Sequence, residues 1–235
     1  MMLNQAAMSK VSNHRVACVT GGAKRIGRAL VLALHQANYN IIIHYHTSES
    51  EAIELVDYCN AIRPQSAKSV QGDLEDFETL PQLTWRIINS FGRLDCLVHN
   101  ASRFYPTPFG QISQQDWQNL FLTNAQTPLF ISQYLYPYLK KSQGCIISIL
   151  DIHANGKPFG GYTVYNMAKA AHQMMVQSLA IELAPDIRVN GIAPGINILP
   201  MEGTEQALTA ETIEKICHAV PLKRIGTPQD IAQVA

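Results

Sequence analysis

Short, uninterrupted apolar runs take turns along this chain with longer stretches whose apolar residues recur every three to four positions. The runs are 15–20 (RVACVT), 40–45 (NIIIHY), 67–72 (AKSVQG), 94–99 (LDCLVH), 145–150 (CIISIL) and 187–192 (IRVNGI). The helical stretches cover 26–38, 48–61, 77–91, a segment starting near Ser113, and 162–183. A strand buried on one face alternates apolar and polar residues; these runs do not, so both of their faces are expected to be covered. A parallel strand needs a crossover before it, and a helix both makes the crossover and covers a face. The pattern therefore predicts an α/β fold with a doubly wound parallel sheet. No Gly/Ser/Pro-rich linker or internal repeat divides the chain, so 15–235 reads as a single domain behind a disordered tail at 1–14. Thr127-Pro128 is expected at or inside the fourth helix without a full break. The segment near 197–215 has the weakest pattern and follows the sixth strand, where a substrate lid would lie.

Composition narrows the function. Charged residues make up 15% of the chain, against roughly 25% in ordinary soluble domains, while hydrophobic residues make up 47%. That balance suits a doubly covered sheet and leaves room for a further face buried in an oligomer. The formal charge is zero, so no net field steers nucleic acid or an anionic membrane surface. No run is long enough to cross a bilayer, and the opening MMLNQAAMSKVSNHR lacks the apolar core of a signal peptide. None of the cysteines (Cys18, Cys59, Cys96, Cys145, Cys217) has metal or redox spacing, and no metal site is expected. Three lie in strand-like runs and read as inert buried thiols. Their odd number, without a secretory signal, points to the reducing cytoplasm.

In open parallel sheets ligands sit beyond the carboxyl ends of the strands. The first strand ends in TGGAKRIG, 20–27, and a helix follows. Glycines let backbone N–H groups approach a phosphate, and the helix N-terminus adds positive potential. Gly21, Lys24, Arg25, Ile26 and Gly27 are accordingly cofactor candidates. Arg25 stands where a dinucleotide loop would have another glycine; it is either a surface arginine or a guanidinium leaning over a pyrophosphate and a second ligand. The second strand ends His44-Tyr45-His46-Thr47-Ser48, with no acid before Glu49. A ribose 2′-hydroxyl is usually held by an acid at this place, so these residues favour a 2′-phosphate and NADP(H). The histidines could equally be solvated strand ends, and Tyr45 could be packing. The fourth strand ends in HNASRF, 99–104, where small residues let a cofactor ribose lie close to the backbone and Phe104 could stack on a flat ligand or simply pack. Asn124 falls mid-helix, where asparagine is a poor helix former. It is either a buried hydrogen-bonded residue or the mark of a helix distortion.

Tyr165 and Lys169, four apart on a helix, share a face. An ammonium close to a phenol is expected to lower the phenol pKa from about 10 towards neutrality and fit it for general acid catalysis. The fifth strand ends on an acid, Asp151.

Residues 20–27, Asn100-Ala101, Asn124, Tyr165/Lys169 and Pro194-Gly195 together resemble the short-chain dehydrogenase/reductases, over nearly the whole chain from about Arg15. Aspartate in place of that family's serine at position 151, Arg25, HYH after the second strand and NASRFYPTP after the fourth look like the pteridine reductases within it. The resemblance implies a Rossmann-type fold. It implies that Arg25 and Ser102 contact both cofactor and pterin, and that Phe104 sandwiches the pterin against the nicotinamide. Asp151 and Tyr165 would handle protons, Lys169 would hold ribose and tune the tyrosine, and Asn124 would complete the catalytic set. Asp73 and Leu74 would meet the adenine, and Asn100, Ala101, Pro194 and Gly195 would line the cofactor. The implied activity is NADPH-dependent reduction of dihydropterins to tetrahydro forms by a homotetramer, with oxidised pterins and dihydrofolate as further candidate substrates. A carbonyl or 3-oxoacyl-thioester reductase and a non-catalytic NADP(H)-binding protein are the alternatives. Where the resembled enzymes commonly have arginine after HYH, this chain has Thr47. The chain stops at Ala235, so the family's last strand is expected to be missing, as in a truncated or incompletely represented protein.

Overall fold

The computed structural model describes residues 11–197 and 209–235. The segments 1–10 and 198–208 lie outside it, and with them most of the expected tail and part of the expected lid. Within the expected tail, Ser12 is tied to the domain: its N–H donates to the Phe91 carbonyl at 2.9 Å, and its hydroxyl accepts from Asn40 Nδ2 at 3.0 Å.

Six strands form one parallel sheet: β1 (Val16–Val19), β2 (Asn40–Tyr45), β3 (Ala67–Gln71), β4 (Cys96–His99), β5 (Cys145–Ile149) and β6 (Arg188–Ile192). Their order in space is β3-β2-β1-β4-β5-β6, the Rossmann-type arrangement. The chain winds outwards from β1 to β3, returns to lay β4 on the other side of β1, and winds outwards again. Cys18 therefore pairs with Ile42 on one side and Leu97 on the other. The crevice between the ends of β1 and β4 is the switch point at which such sheets bind ligands.

The helices explain why the strand runs do not alternate. Val16 and Cys18 pack with α3 (Leu80–Phe91), α5 (Thr127–Ser142) and α6 (Thr163–Glu182), whereas Ala17 and Val19 pack with α1 (Arg25–Gln36), α2 (Glu49–Ile62) and α8 (Pro228–Ala232). Both faces of the central strands are sealed. Edge strand β3 is half open, with Lys68 and Gln71 exposed. Helix α1 ends two residues sooner than its apolar pattern, because Asn38 turns the chain at φ 65°. The expected helix at 77–91 is a 3₁₀ turn (Phe77–Thr79) followed by α3, which begins where Pro81 can occupy a first turn.

The long helix expected from Ser113 is in three parts. α4 (Gln114–Phe121) opens with a reciprocal Ser113/Asp116 cap, a π turn spans Leu122–Gln126, and α5 continues. Pro128 has no N–H to offer the Asn124 carbonyl four residues earlier, so the regular ladder cannot pass through this point. A further helix, α7, covers Ala210–Ala219. No helix among the described residues is long and apolar enough to cross a membrane, and no cluster there of His, Cys, Asp or Glu could hold a metal ion. All five cysteines are free thiols, four of them buried.

Candidate active site

The carboxyl ends of β1, β2, β4 and β5 surround a cavity of about 510 Å³, well within the range of small-molecule sites. Its floor is the turn from β1 into α1. Gly21 takes φ 60°, and a Cβ on Gly27 would sit 2.2 Å from the Gly21 carbonyl, so the turn tolerates only hydrogen at that point. Arg25 adopts φ 51°, a left-handed conformation that side chains resist and glycine accepts freely. The sequence replaced an expected glycine here without changing the backbone that glycine would have had. Arg25 lines the cavity together with Lys24 and Ile26.

Asn100 stitches β4 to this turn. Its Nδ2 donates to the carbonyls of Thr20 (2.9 Å) and Gly21 (3.0 Å), and its N–H and that of Ala101 donate to Thr20 Oγ1 at 3.0 and 3.1 Å. The Asn100 amide thus shapes the cradle. Thr20, which sequence reasoning passed over, is the hub of these bonds; only the β1–β4 adjacency reveals it.

At the rim, Tyr45, His46, Thr47 and Ser48 line the cavity, but His44 does not. His44 is 1% exposed, and its Nδ1 accepts the Gly21 N–H at 3.2 Å while its Nε2 donates to the Gly72 carbonyl at 3.1 Å. Burial pulls its pKa down to about 4, against the opposing effect of the Gly72 bond. The expectation that His44 binds cofactor phosphate is therefore corrected: the imidazole is neutral, fully bonded, and props the glycine turn. Asp73 also stands outside the cavity lining. It accepts the Glu75 N–H at 2.9 Å and lies 3.6 Å from His46 Nε2. Leu74 is a core residue, not a cofactor contact by its side chain, and its carbonyl takes the Thr127 hydroxyl at 2.7 Å. Pro194 lines the cavity with Asn197, and Gly195 does not.

The cavity's far wall holds Ser102, Phe104, Asp151, Tyr165 and Lys169. The Tyr165 hydroxyl donates to Asp151 Oδ2 at 2.7 Å, while Asp151 Oδ1 accepts the His153 N–H at 2.9 Å. Lys169 Nζ donates to the Ile149 carbonyl at 3.0 Å and lies 5.9 Å from the Tyr165 ring centre. This overturns the expected electrostatics of the pair. Burial first, then the charge and hydrogen bond of Asp151, push the Tyr165 phenol well above its ordinary range. Burial pulls the Lys169 ammonium down to about 8, with Asp151 opposing. The phenol is held as a proton donor by the carboxyl group, not poised as a phenolate by the ammonium.

Phe104 is 55% exposed, lies parallel to Tyr162 with centroids 4.5 Å apart, and meets Tyr165 edge-on at 4.8 Å. It is an exposed ring at the mouth of the cavity. Its loop is anchored from behind by Asn124, which lies outside the lining. Asn124 accepts the Ser102 hydroxyl at 2.7 Å and donates Nδ2 to the carbonyls of Arg103 (2.9 Å) and Leu120 (3.0 Å). Arg103 forms a two-pronged ion pair with Glu75, which also accepts the Thr123 hydroxyl at 3.1 Å. No sequence spacing announces that clamp, since its partners sit after β3, after β4 and in the π turn.

Comparison with known proteins places this chain among relatives. The family model described as short chain dehydrogenase matches residues 15–207. A pteridine reductase 1 of Leishmania tarentolae is 36% identical over 79% of this chain and 77% of its own length. A hydroxynaphthalene reductase of Aspergillus fumigatus is 30% identical over 94% of this chain and 84% of its own. An uncharacterised oxidoreductase of Mycobacterium tuberculosis is 31% identical over 95% and 84%.

Proposed function

Since the chain belongs to the short-chain dehydrogenase family of oxidoreductases, we propose that it is an NADPH-dependent reductase that converts dihydropterins to tetrahydropterins. The observation that carries this reading is the 2.7 Å bond between the Tyr165 hydroxyl and Asp151. A carbonyl reductase needs one proton donor and a neutral hydroxyl to orient the oxygen. A pterin is reduced across a C=N bond, and its aminopyrimidine edge offers N–H donors that a carboxyl group accepts. Exposed Phe104 suits a flat heterocycle, and the likeness to a protein named pteridine reductase agrees.

The residues present fit a dinucleotide. The glycine turn leaves no room for a Cβ at Gly27, and it opens α1 towards the cavity. Bound there, the cofactor supplies a hydride. Lys169 and Asn100 would hold its ribose, and Arg25 and Lys24 would hold its phosphates, since all four line the cavity. NADPH is preferred in this reading because the rim at 45–48 holds no acid. Phe104 and Ser102 orient the pterin, Tyr165 gives its proton to the ring nitrogen, and Asp151 holds the phenol and the pterin edge. Assembly as a homotetramer belongs to the same reading, and Met174 and Ile181, 59% and 82% exposed, leave apolar surface on α6 for it.

Oxidation of NADPH, followed in the near ultraviolet with dihydrobiopterin, dihydrofolate, a hydroxynaphthalene-derived ketone and an acetoacetyl thioester offered separately, tests the proposal. Dihydrobiopterin is expected to be turned over best, with NADPH exceeding NADH by at least tenfold in kcat/KM. That requires only about 1.4 kcal/mol of differential binding. Turnover of the ketone or thioester alone would replace the pterin reading with the carbonyl one.

A further inference from the structure

Behind the cavity lies a second, wholly buried polar cluster that the reaction above does not use: His99, Ser132, Ser148 and His172, each at most 4% exposed. His172 sits on α6 one turn beyond Lys169. Its Nε2 lies 3.0 Å from Ser148 Oγ, on the residue of β5 just before Ile149, whose carbonyl receives Lys169. His99 ends β4 immediately before Asn100, and its Nε2 lies 2.8 Å from Ser132 Oγ. The two rings meet edge to face at 6.0 Å.

Proton bookkeeping assigns the tautomers. Ser132 donates its hydroxyl to the Pro128 carbonyl at 2.8 Å, so the bond to His99 must carry the Nε2 proton. Among the described hydrogen bonds the Ser148 hydroxyl meets no acceptor other than His172 Nε2. That imidazole therefore accepts at Nε2 and carries its proton on Nδ1. The His172 Nδ1 atom is buried without a formed hydrogen bond, and the backbone of Asn124 is what faces it. The Asn124 carbonyl is the one that lost its helical donor to Pro128 in the π turn. A buried donor without a bond thus stands opposite an acceptor deprived of its usual partner, a pairing that a small shift or one water completes.

We propose that His172 is a positioning residue whose Nδ1–H braces the Asn124 carbonyl, so that α6 fixes the π turn and, through the Asn124 side chain, the Ser102–Phe104 loop. His99, through Ser132 and Pro128, braces the same turn from β4. The neutral ring is what lets Nε2 accept the Ser148 hydroxyl while Nδ1–H faces the Asn124 carbonyl. Burial, then the neighbouring His99 and Lys169, hold the His172 pKa down to about 2 against the opposing backbone contact of Asn124, while Asp151 acts on Lys169 in turn. Asn124 carries both the loop that orients substrate and the turn against α6, so loss of the brace loosens Ser102 and Phe104 while leaving the glycine cradle intact.

Nitrogen-15 NMR of the full chain, with H172N to assign the resonance, reads the tautomer directly. The expected result is a neutral, Nδ1-protonated His172 unchanged between pH 8 and pH 5. An Nε2-protonated ring or an imidazolium in that range overturns the proposal. The kinetic arm rests on the pterin reading. H172L is expected to lose at least tenfold in kcat/KM for dihydrobiopterin while NADPH affinity, read by fluorescence, stays within about twofold. H172N, whose amide can donate from the Nδ1 position, should recover most of the loss, whereas H172Q, which reproduces only the contact to Ser148, should not. Parent-like activity in H172L, or equal rescue by both amides, overturns it. A parent that reduces no pterin sinks the pterin reading alone, and the NMR result still decides His172.

Discussion

Asp151 accepts a hydrogen bond from the Tyr165 phenol while Lys169 donates one to the Ile149 carbonyl, so the two members of the Tyr–Lys pair are held by different partners. For Tyr165 the consequence is catalytic. Tyr165→Phe should lower kcat by roughly 10²–10⁴, the range for loss of a general acid, and Asp151→Ala should do comparable damage. Cofactor binding should survive both changes, because neither side chain is assigned to hold it. Pterin turnover by Asp151→Ala within threefold of the parent would make the carboxyl group a bystander. For Lys169 the consequence includes stability. Its folded pKa of about 8 lies below the unfolded value of about 10.4, so between those values the unfolded chain binds more protons. Stability should therefore rise with pH across that window in the cofactor-free protein, and below it the buried charge costs up to ~3 kcal/mol. Lys169→Met should abolish activity yet leave the melting temperature at pH 7 equal to or above the parent's. A clear fall would show that the bond to Ile149 outweighs desolvation.

Elements differ in how much of them the sequence revealed. The six strands were legible because burial on both faces writes itself as an unbroken apolar run, and Ile41, Ile42 and Ile43 are all fully buried. The π turn was legible only as a misfit at Asn124, since its form depends on what Pro128 withholds and what α6 presents. At the end of β2, residues 45–48 line the cavity as their place in the sequence suggests, and His44 alone departs. His44 looks like a strand terminus, and only the neighbouring strands bring Gly21 and Gly72 to its two nitrogens. Leu74 likewise hides its side chain: the loop after β3 turns it inwards, into the core. The β1–α1 turn was read correctly as a glycine-type turn, and there the misfit is itself a prediction. A non-glycine residue at positive φ carries about 1–2 kcal/mol of strain, so Arg25→Gly should stabilise the fold, raising the melting temperature by a few degrees. The same change should lower kcat/KM by at least tenfold, because the arginine that lines the cavity is gone. Unchanged kinetics would return Arg25 to a surface role.

Across the whole molecule, four histidines serve as neutral struts between elements. His35 bonds Ser66 at 2.7 Å across α1 and the start of β3, His44 joins β2 to the loops on either side, and His99 and His172 brace the π turn. Burial lowers the pKa of each, to about 4 for His44, about 3 for His99 and about 2 for His172. The sign follows directly. Unfolded histidine titrates near 6.5, so below that pH the unfolded chain binds protons that the native protein refuses, and stability falls as pH falls. At pH 5 each of the three strongly shifted rings should subtract about 2 kcal/mol relative to neutral pH, in total a large part of a typical domain's stability. Unfolding at pH 5 should therefore take up about three to four protons, measurable by calorimetry in buffers of different ionisation enthalpy. It should be accompanied by a fall of several kcal/mol in urea-derived stability between pH 7 and pH 5. An uptake of about one proton or fewer would mean that these rings open to water before the fold gives way, and that they do not lock the glycine turn and the π turn into one cooperative unit.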